Sequence, residues 1–413
     1  MATTSRIRIL GLPGTLAGLA MLLLGLADPA ASATHRVPDD FPTIAEAMDA
    51  ALSGDTITVG PGVYKEAVII KDGVILRSDA GAEETTIAYG EMGNRNEAVI
   101  TLQRCSNSTQ VIGFAVDGRG IAKRGVLVIS DSQPVLDDLI VDGAKYGVAI
   151  HTRSRPYVQN STVQNTEVAG IFIQGGSAEI RDCSVLAGQK FGVYINGTTK
   201  PVRMRGCEIE GNAQAGIQAT SGEFSVYGGS VSRNGDTGII LQDVSPLISG
   251  VTIAENPNIG LVLESSSATI QSCTIRNSAF GVVASVEGHP KFYKNTFVDN
   301  ESYHLGIEGD TDPIVGGSLA NANKFLGKAA FALQTSSIAQ IDASYNYWDK
   351  PCVPKQLVKI MSGGVTRKPW ASPDLTRSFE DCMQAREYHK EWKKSHAEET
   401  SAAAAAATTS DGA

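Results

Sequence analysis

The sequence predicts an all-β chain wound into a parallel β-helix, and three observations predict it. The first is a phrase, glycine followed by an aliphatic residue, that recurs nine times: Gly125-Val126, Gly147-Val148, Gly170-Ile171, Gly192-Val193, Gly216-Ile217, Gly238-Ile239, Gly260-Leu261, Gly281-Val282 and Gly306-Ile307. Successive steps are 22, 23, 22, 24, 22, 22, 21 and 25 residues. That period is too long for heptads and too short for two-helix repeats, but it suits one turn of a solenoid. The second is that each repeat holds three short apolar stretches. After Gly170, Ile171 and Ile173 alternate, Ile180 precedes a turn at Cys183, and Val185 precedes the next loop. The third is composition: 43 Gly, 6% aromatic and 19% charged residues fit many short strands joined by tight turns. A chain of 413 residues would ordinarily divide into two or three domains, but a solenoid lengthens by stacking.

Residues 1–33 read as a signal peptide. Arg6 and Arg8 precede an apolar run from Leu16 to Leu26, and Ala31-Ser32-Ala33 is a small-residue cleavage site. The competing reading, a membrane anchor, is weakened by the glycines within the run and by Asp28-Pro29 after it, and no later segment reaches the ~20 apolar residues that span a bilayer. Export to the periplasm or the medium is therefore expected.

From residue 34 to 375 the β-helix domain is expected, opening on a cap. Thr43 and Glu46 have the spacing of a capping box. Ile44, Ala47, Met48, Ala51 and Leu52 then form an apolar stripe, and Gly54 ends the helix. Such a helix covers the core cross-section and strand edges that the end of a solenoid exposes. Strands follow at Thr56-Ile57-Thr58-Val59, from Ala67 to Ile70, at Val74-Ile75-Leu76 and at Thr86-Ile87.

The phrases Thr43-Ile44-x-Glu46-Ala47, Gly54-Asp55-Thr56-Ile57-x-Val59 and Pro61-Gly62-Val63-Tyr64-x-Glu66 resemble the opening of proteins of the pectin-lyase-like superfamily. They look most like pectinesterases and NosD-type periplasmic repeat proteins. The resemblance implies a single-stranded right-handed parallel β-helix of about twelve coils, extending to about residue 350. The final coil is expected at Ala343-Ser344-Tyr345-Asn346-Tyr347-Trp348, followed by Pro351-Cys352 and Lys368-Pro369-Trp370, which look like the end region of the same families. A short C-terminal helix is expected within 376–397, with Phe379, Met383 and Trp392 along one side, and a disordered Ala/Thr-rich tail over 398–413.

Turn residues recur at matching places. Asn165, Asn212, Asn234, Asn256, Asn277 and Asn300 read as one structural stack. Cys183, Cys207 and Cys273 share another turn and read as small fillers, although Cys183 and Cys207 lie on adjacent coils where a bridge is open to them. Cys352 and Cys382 are the better disulfide candidates, since they would close the C-terminal region; connectivity cannot be read from sequence.

Alternation also predicts the outer face. Leu127, Ala149, Phe172, Tyr194, Gln218, Ile240, Val262, Val283 and Glu308 should point outward, with Ile129, His151, Gln174, Asn196, Thr220, Gln242, Glu264 and Ser285 beside them. Phe172 and Tyr194 should stack, rimmed by Gln174, Asn196 and Gln218. A flat aromatic pair among amides suits sugar rings, so these five residues are the candidate carbohydrate-binding site. The same apolar row equally suits coverage by another part of the chain or by an envelope protein docked on a non-catalytic scaffold.

A second outward row carries Arg181, Arg203, Arg205, Lys291, Tyr227 and Tyr293, a pattern that suits an acidic polysaccharide such as a uronan. The plain alternative is a solvated face, locally paired to Glu179 or Glu208. For catalysis, the pectinesterase phrases Gly-Thr-Val-Asp-Phe-Ile-Phe-Gly and Gly-Arg-Pro-Trp are absent from the sequence. The Arg-x-Pro-x-x-Arg phrase of pectate lyases has only Arg153-Ser154-Arg155-Pro156-Tyr157 as its nearest text. His151, Arg153 and Arg155 are the remaining catalytic candidates, a base and cations of the kind uronate β-elimination needs; pairing of Arg153 with Asp131 is the simpler account. Scattered His and Met give no metal constellation, and no cofactor is expected. NosD-like accessory work on a copper enzyme finds no dense ligand set. Glu308, Asp310 and Asp312 are the best oxygen-rich loop for calcium, against the reading of an acidic turn. The net charge of −9 argues against nucleic acid.

Overall fold

The computed structural model describes residues 32–90, 97–151, 153–198, 200–353 and 355–410. The expected signal segment therefore lies, apart from Ser32 and Ala33, outside the described residues. Residues Ala33–Ala413 form one unit.

Strand pairing follows the repeat. Val148 pairs in parallel with Ile171, and Ile171 with Val193, so residues about one period apart sit on successive rungs. Among the described residues these rungs build a 13-stranded parallel sheet, against about twelve coils expected, and a 25-stranded sheet. Gln110–Asp117 and Val135–Asp142 run as single longer strands, but most coils give one strand to the first and two short ones to the second. In one coil these are Ala169–Gln174, then Glu179–Arg181 and Ser184–Leu186. The corner between the last two is Asp182, at φ 49°, a left-handed conformation in which a short polar side chain is tolerated. Val148, Ile150, Ile171, Ile173, Val193 and Ile195 are buried in one continuous core.

The recurrent glycine is there for space rather than for backbone freedom. A Cβ at Gly147 would sit 2.2 Å from Val163 Cγ1 and 2.6 Å from the Gly170 carbonyl oxygen, and Gly170 and Gly192 are equally crowded. Gly147 and Val148 thus both face the core, which interrupts the alternation of the strand.

The ninth phrase proves to be out of register. Val282 pairs with Leu305 and Val283 with Gly306. His304, not Gly306, stands in the glycine column, and Gly306, not Glu308, is the outward residue. The imidazole is buried, bonds Asn300 Nδ2 at 3.0 Å, and is held by desolvation at a pKa of about 4.

The asparagines divide into two kinds. Asn212, Asn234 and Asn256 are fully buried; Asn234 Oδ1 accepts from the Asn212 amide N–H at 3.1 Å and Nδ2 at 3.0 Å, and Asn256 repeats this toward Asn234. Asn300 continues the column by accepting from the Ser278 amide at 3.2 Å. Asn165 and Asn277 lie one residue earlier, exposed, at φ 53° and 56°. Asn295, Asn323 and Asn346 form a second buried ladder. Cys183, Cys207 and Cys273 are free and buried, so Cys183 and Cys207 do not bridge; burial pushes the Cys183 thiol up to about 12.

At the N-terminal end, helix α1 spans Ile44–Ala50 with Thr43 as cap, its hydroxyl accepting from the Glu46 amide at 3.1 Å. Two further first-turn amides, of Ile44 and Ala45, donate to the Glu66 carboxylate at 3.0 and 2.9 Å. The helix ends earlier than the stripe suggests: Ala51 is its cap and Leu52 is 68% exposed. At the other end, Trp348 stacks on Phe325 at 4.5 Å and Phe325 on Phe297 at 4.8 Å. A Cys352–Cys382 disulfide ties this region to helix α2, Cys382–Ser410. Phe379 belongs to a short antiparallel pair with Trp370, and Met383 is 74% exposed, so the buried side of α2 is Ala385 and His389 instead. The tail expected to be disordered from 398 continues the helix to Ser410, since Ala is the strongest helix former.

Candidate functional site

The outer face of the 13-stranded sheet carries the predicted aromatic pair. Phe172 pairs in register with Tyr194, and Tyr194 with Gln218. The two rings are half-buried, their centroids 5.6 Å apart and tilted by 35°. Gln174 pairs with Asn196 on the neighbouring column; Gln174 is exposed and Asn196 half-buried, its Oδ1 accepting from Ser221 Oγ at 3.3 Å.

Two further rings belong to this cluster. Tyr146 stacks on Phe172 at 4.8 Å, and Phe191 lies 5.4 Å from Tyr194. Strict alternation would send both inward, because each precedes an inward glycine–aliphatic pair. The glycine also faces inward, so the residue before it faces out. The signal was present in the text as Tyr146-Gly147, Phe191-Gly192 and Phe280-Gly281. Phe280 indeed contacts Tyr303 further along, at 4.8 Å. Toward the N-terminal end the row is covered: Leu127 and Ala149 are buried with Ala98 in a cluster of their own, against which Tyr146 and Ile129 pack.

His151 stands edge-on to Phe172, centroids 5.4 Å apart. Burial, and then the charge of Arg124, hold its pKa below the ordinary value, so the ring is neutral at neutral pH. Its Nε2 is buried with no hydrogen-bond partner among the described residues. Arg153 is turned elsewhere. Its Nε and guanidinium nitrogen donate to both Asp131 oxygens at 2.7 and 2.8 Å, an exposed fork that lowers the Asp131 carboxyl and raises Arg153. It lines a shallow depression with Asp72, Arg104 and Ser106, which neither His151 nor Arg155 reaches. Arg155 is exposed at the next corner. The structure does not bring the three together.

The basic row is two neighbouring columns on the outside of the 25-stranded sheet. Glu179 pairs with Arg203, whose Nη1 donates to its carboxylate at 2.9 Å. Gln159, Arg181, Arg205 and Tyr227 form the second column, which continues through Ser249 and Gln271 to Tyr293. Near Glu308, Asp312 Oδ2 faces His289 Nδ1 at 3.9 Å. Among the described residues no three His, Cys, Asp or Glu side chains converge as a metal site. No described helix is long and apolar enough to cross a membrane.

Sequence comparison adds the family. The profile described as right-handed β-helix region matches residues 71–230, 169–319 and 222–358. The chain belongs to this family. Among solved structures it is similar to the A-module of the Azotobacter vinelandii mannuronan C-5 epimerase AlgE6, at 16% identity and a TM-score of 0.54, covering 79% of this chain and 92% of that one. The AlgE4 A-module of the same organism gives 15% identity and 0.51, over 78% and 90%. At such identities the likeness is one of fold. Comparison with curated proteins gives no match.

Proposed function

We propose that the protein is exported and binds a polysaccharide along the outer face of its 13-stranded sheet, with pyranose rings seated on Phe172 and Tyr194. The observation that carries the reading is the continuous set of four rings, Tyr146, Phe172, Tyr194 and Phe191, held on a rigid sheet and rimmed by amides. A pyranose offers an apolar C–H face to such rings and hydroxyls to Gln174, Asn196 and Gln218. The half-buried His151, edge-on to Phe172, borders the platform. That the fold neighbours act on mannuronan, as their names state, supports carbohydrate as the ligand class. Binding rather than turnover is the reading, because the candidates His151, Arg153 and Arg155 do not converge and Arg153 is neutralised by Asp131. The row beyond Gln218 continues as Ile240, Val262 and Val283, in register on successive rungs. These aliphatics favour a second reading, an envelope protein docked on a non-catalytic scaffold.

A glycan array followed by titration calorimetry of the mature chain tests the first reading. The double variant Phe172→Ala/Tyr194→Ala should weaken binding by at least tenfold, a loss of ~1.4 kcal/mol. Unchanged affinity overturns the platform. Partner capture lost in that same variant would then favour docking.

A further inference from the structure

The other face of the solenoid holds an arrangement that the proposed platform does not use. Arg181 and Arg205 occupy consecutive rungs of one outward column, about 4.8 Å apart along the stack. Both are exposed, and among the described residues neither is in an ion pair. Asp182, next in sequence, is exposed at the corner, its Oδ1 2.5 Å from where a Cβ on Gly206 would lie, and among the described residues it makes no ion pair with either arginine. Each guanidinium is instead laid on a tyrosine: Arg181 over Tyr157 at 5.3 Å to the centroid, and Arg205 over Tyr227 at 4.4 Å. Stacking on a ring leaves the edge of the fork, with its N–H donors, free for an anion. Two like charges on adjacent rungs repel each other unless an anion lies between or along them. Beside them, Arg203, Tyr227, Leu247 and Pro201 line a depression that also receives Glu223 and Asp243.

We infer that Arg181 and Arg205, braced by Tyr157 and Tyr227, form a second, independent binding strip on the 25-stranded sheet for a polysaccharide that bears a carboxylate on each sugar. Three features select that class. Planar forks suit carboxylates, which they can hold bidentately. The flanking tyrosines and Leu247 offer apolar surface to the sugar faces. The negative charge of the whole chain confines attraction to this strip, which disfavours nucleic acid, whose binding needs a broad basic surface.

The test titrates the mature protein with purified oligouronates and with neutral oligoglucosides of equal length. The variants are Arg181→Gln/Arg205→Gln and Phe172→Ala/Tyr194→Ala. The parent should bind oligouronate, more weakly as salt rises. The arginine variant should lose about tenfold in affinity per arginine, the ordinary worth of a charge-assisted hydrogen bond. Its thermal midpoint should stay unchanged, since both side chains are exposed. The aromatic variant should keep its oligouronate affinity at this strip. Oligouronate binding that is absent in the parent, unaffected in the arginine variant, or lost only in the aromatic variant overturns the inference. Neutral-glycan binding reports separately on the platform.

Discussion

Replacing Asn234 by Ala should destabilise the solenoid more than any single change at an exposed turn. Asn234 is fully buried, and its Oδ1 is the acceptor for both the backbone N–H and the Nδ2 of Asn212. Its own Nδ2 donates to Asn256 Oδ1 at 3.1 Å and to the Ile209 carbonyl at 3.3 Å. After truncation the Asn212 N–H is buried without its acceptor, whereas Asn212 Nδ2 keeps the Val185 and Glu210 carbonyls. One orphaned donor costs about 1–3 kcal/mol, and the lost bonds to Ile209 and Asn256 raise the sum to roughly 2–4 kcal/mol. Asn165→Ala provides the control: the residue is exposed and its side-chain amide meets only Asp142, at 3.1 Å, so the change should cost about 1 kcal/mol, mostly from its left-handed backbone. Urea unfolding followed by circular dichroism, with the slope compared between variants, measures both. Equal midpoints for Asn234→Ala and the parent would refute the claim that the buried amide ladder stabilises the stack.

Gly170→Val should prevent folding or cost more than about 3 kcal/mol, because its Cβ would lie 2.3 Å from Val185 Cγ1; soluble yield and melting temperature report it. His304 gives a pH dependence of definite sign. Its folded pKa of about 4 lies below the unfolded 6.5, so the unfolded chain binds the proton first and stability falls as pH drops from about 6.5 to 4. The loss should approach about 3 kcal/mol and be absent in His304→Gln, by unfolding at stepped pH. In the native protein a thiol reagent should find no fast-reacting cysteine, since the four free ones are buried, and all four should react after unfolding. Cys382→Ser should release α2 at lower denaturant than the stack, as a cross-link over 30 residues is worth about 3–4 kcal/mol.

The repeat made the architecture legible because a stacked fold writes its register directly into the sequence. Val148, Ile171 and Val193 share a column for the same reason that they share a spacing. Legibility failed where a local feature broke the period. His304 took the place of a glycine, and the later Gly306-Ile307 imitated the phrase two residues out of register. Tyr146 and Phe191 were hidden because two consecutive inward residues reverse the side on which their predecessor lies. Asn165 and Asn277 share a residue type with the buried ladder but occupy the preceding corner, a one-residue offset that spacing alone does not separate. Phe172, Tyr194, Gln174, Asn196 and Gln218 were placed by alternation. Which side chains turn away from each other, as His151 and Arg153 do, depends on corner geometry that periodicity does not encode.

A structure of the protein soaked with an oligosaccharide to which it binds in solution tests most directly whether sugar rings lie against the aromatic rungs. The expected result is a pyranose in contact with Phe172 or Tyr194 and hydrogen-bonded to Gln174, Asn196 or Gln218. An ordered sugar chain elsewhere, with those rings bare, would contradict it.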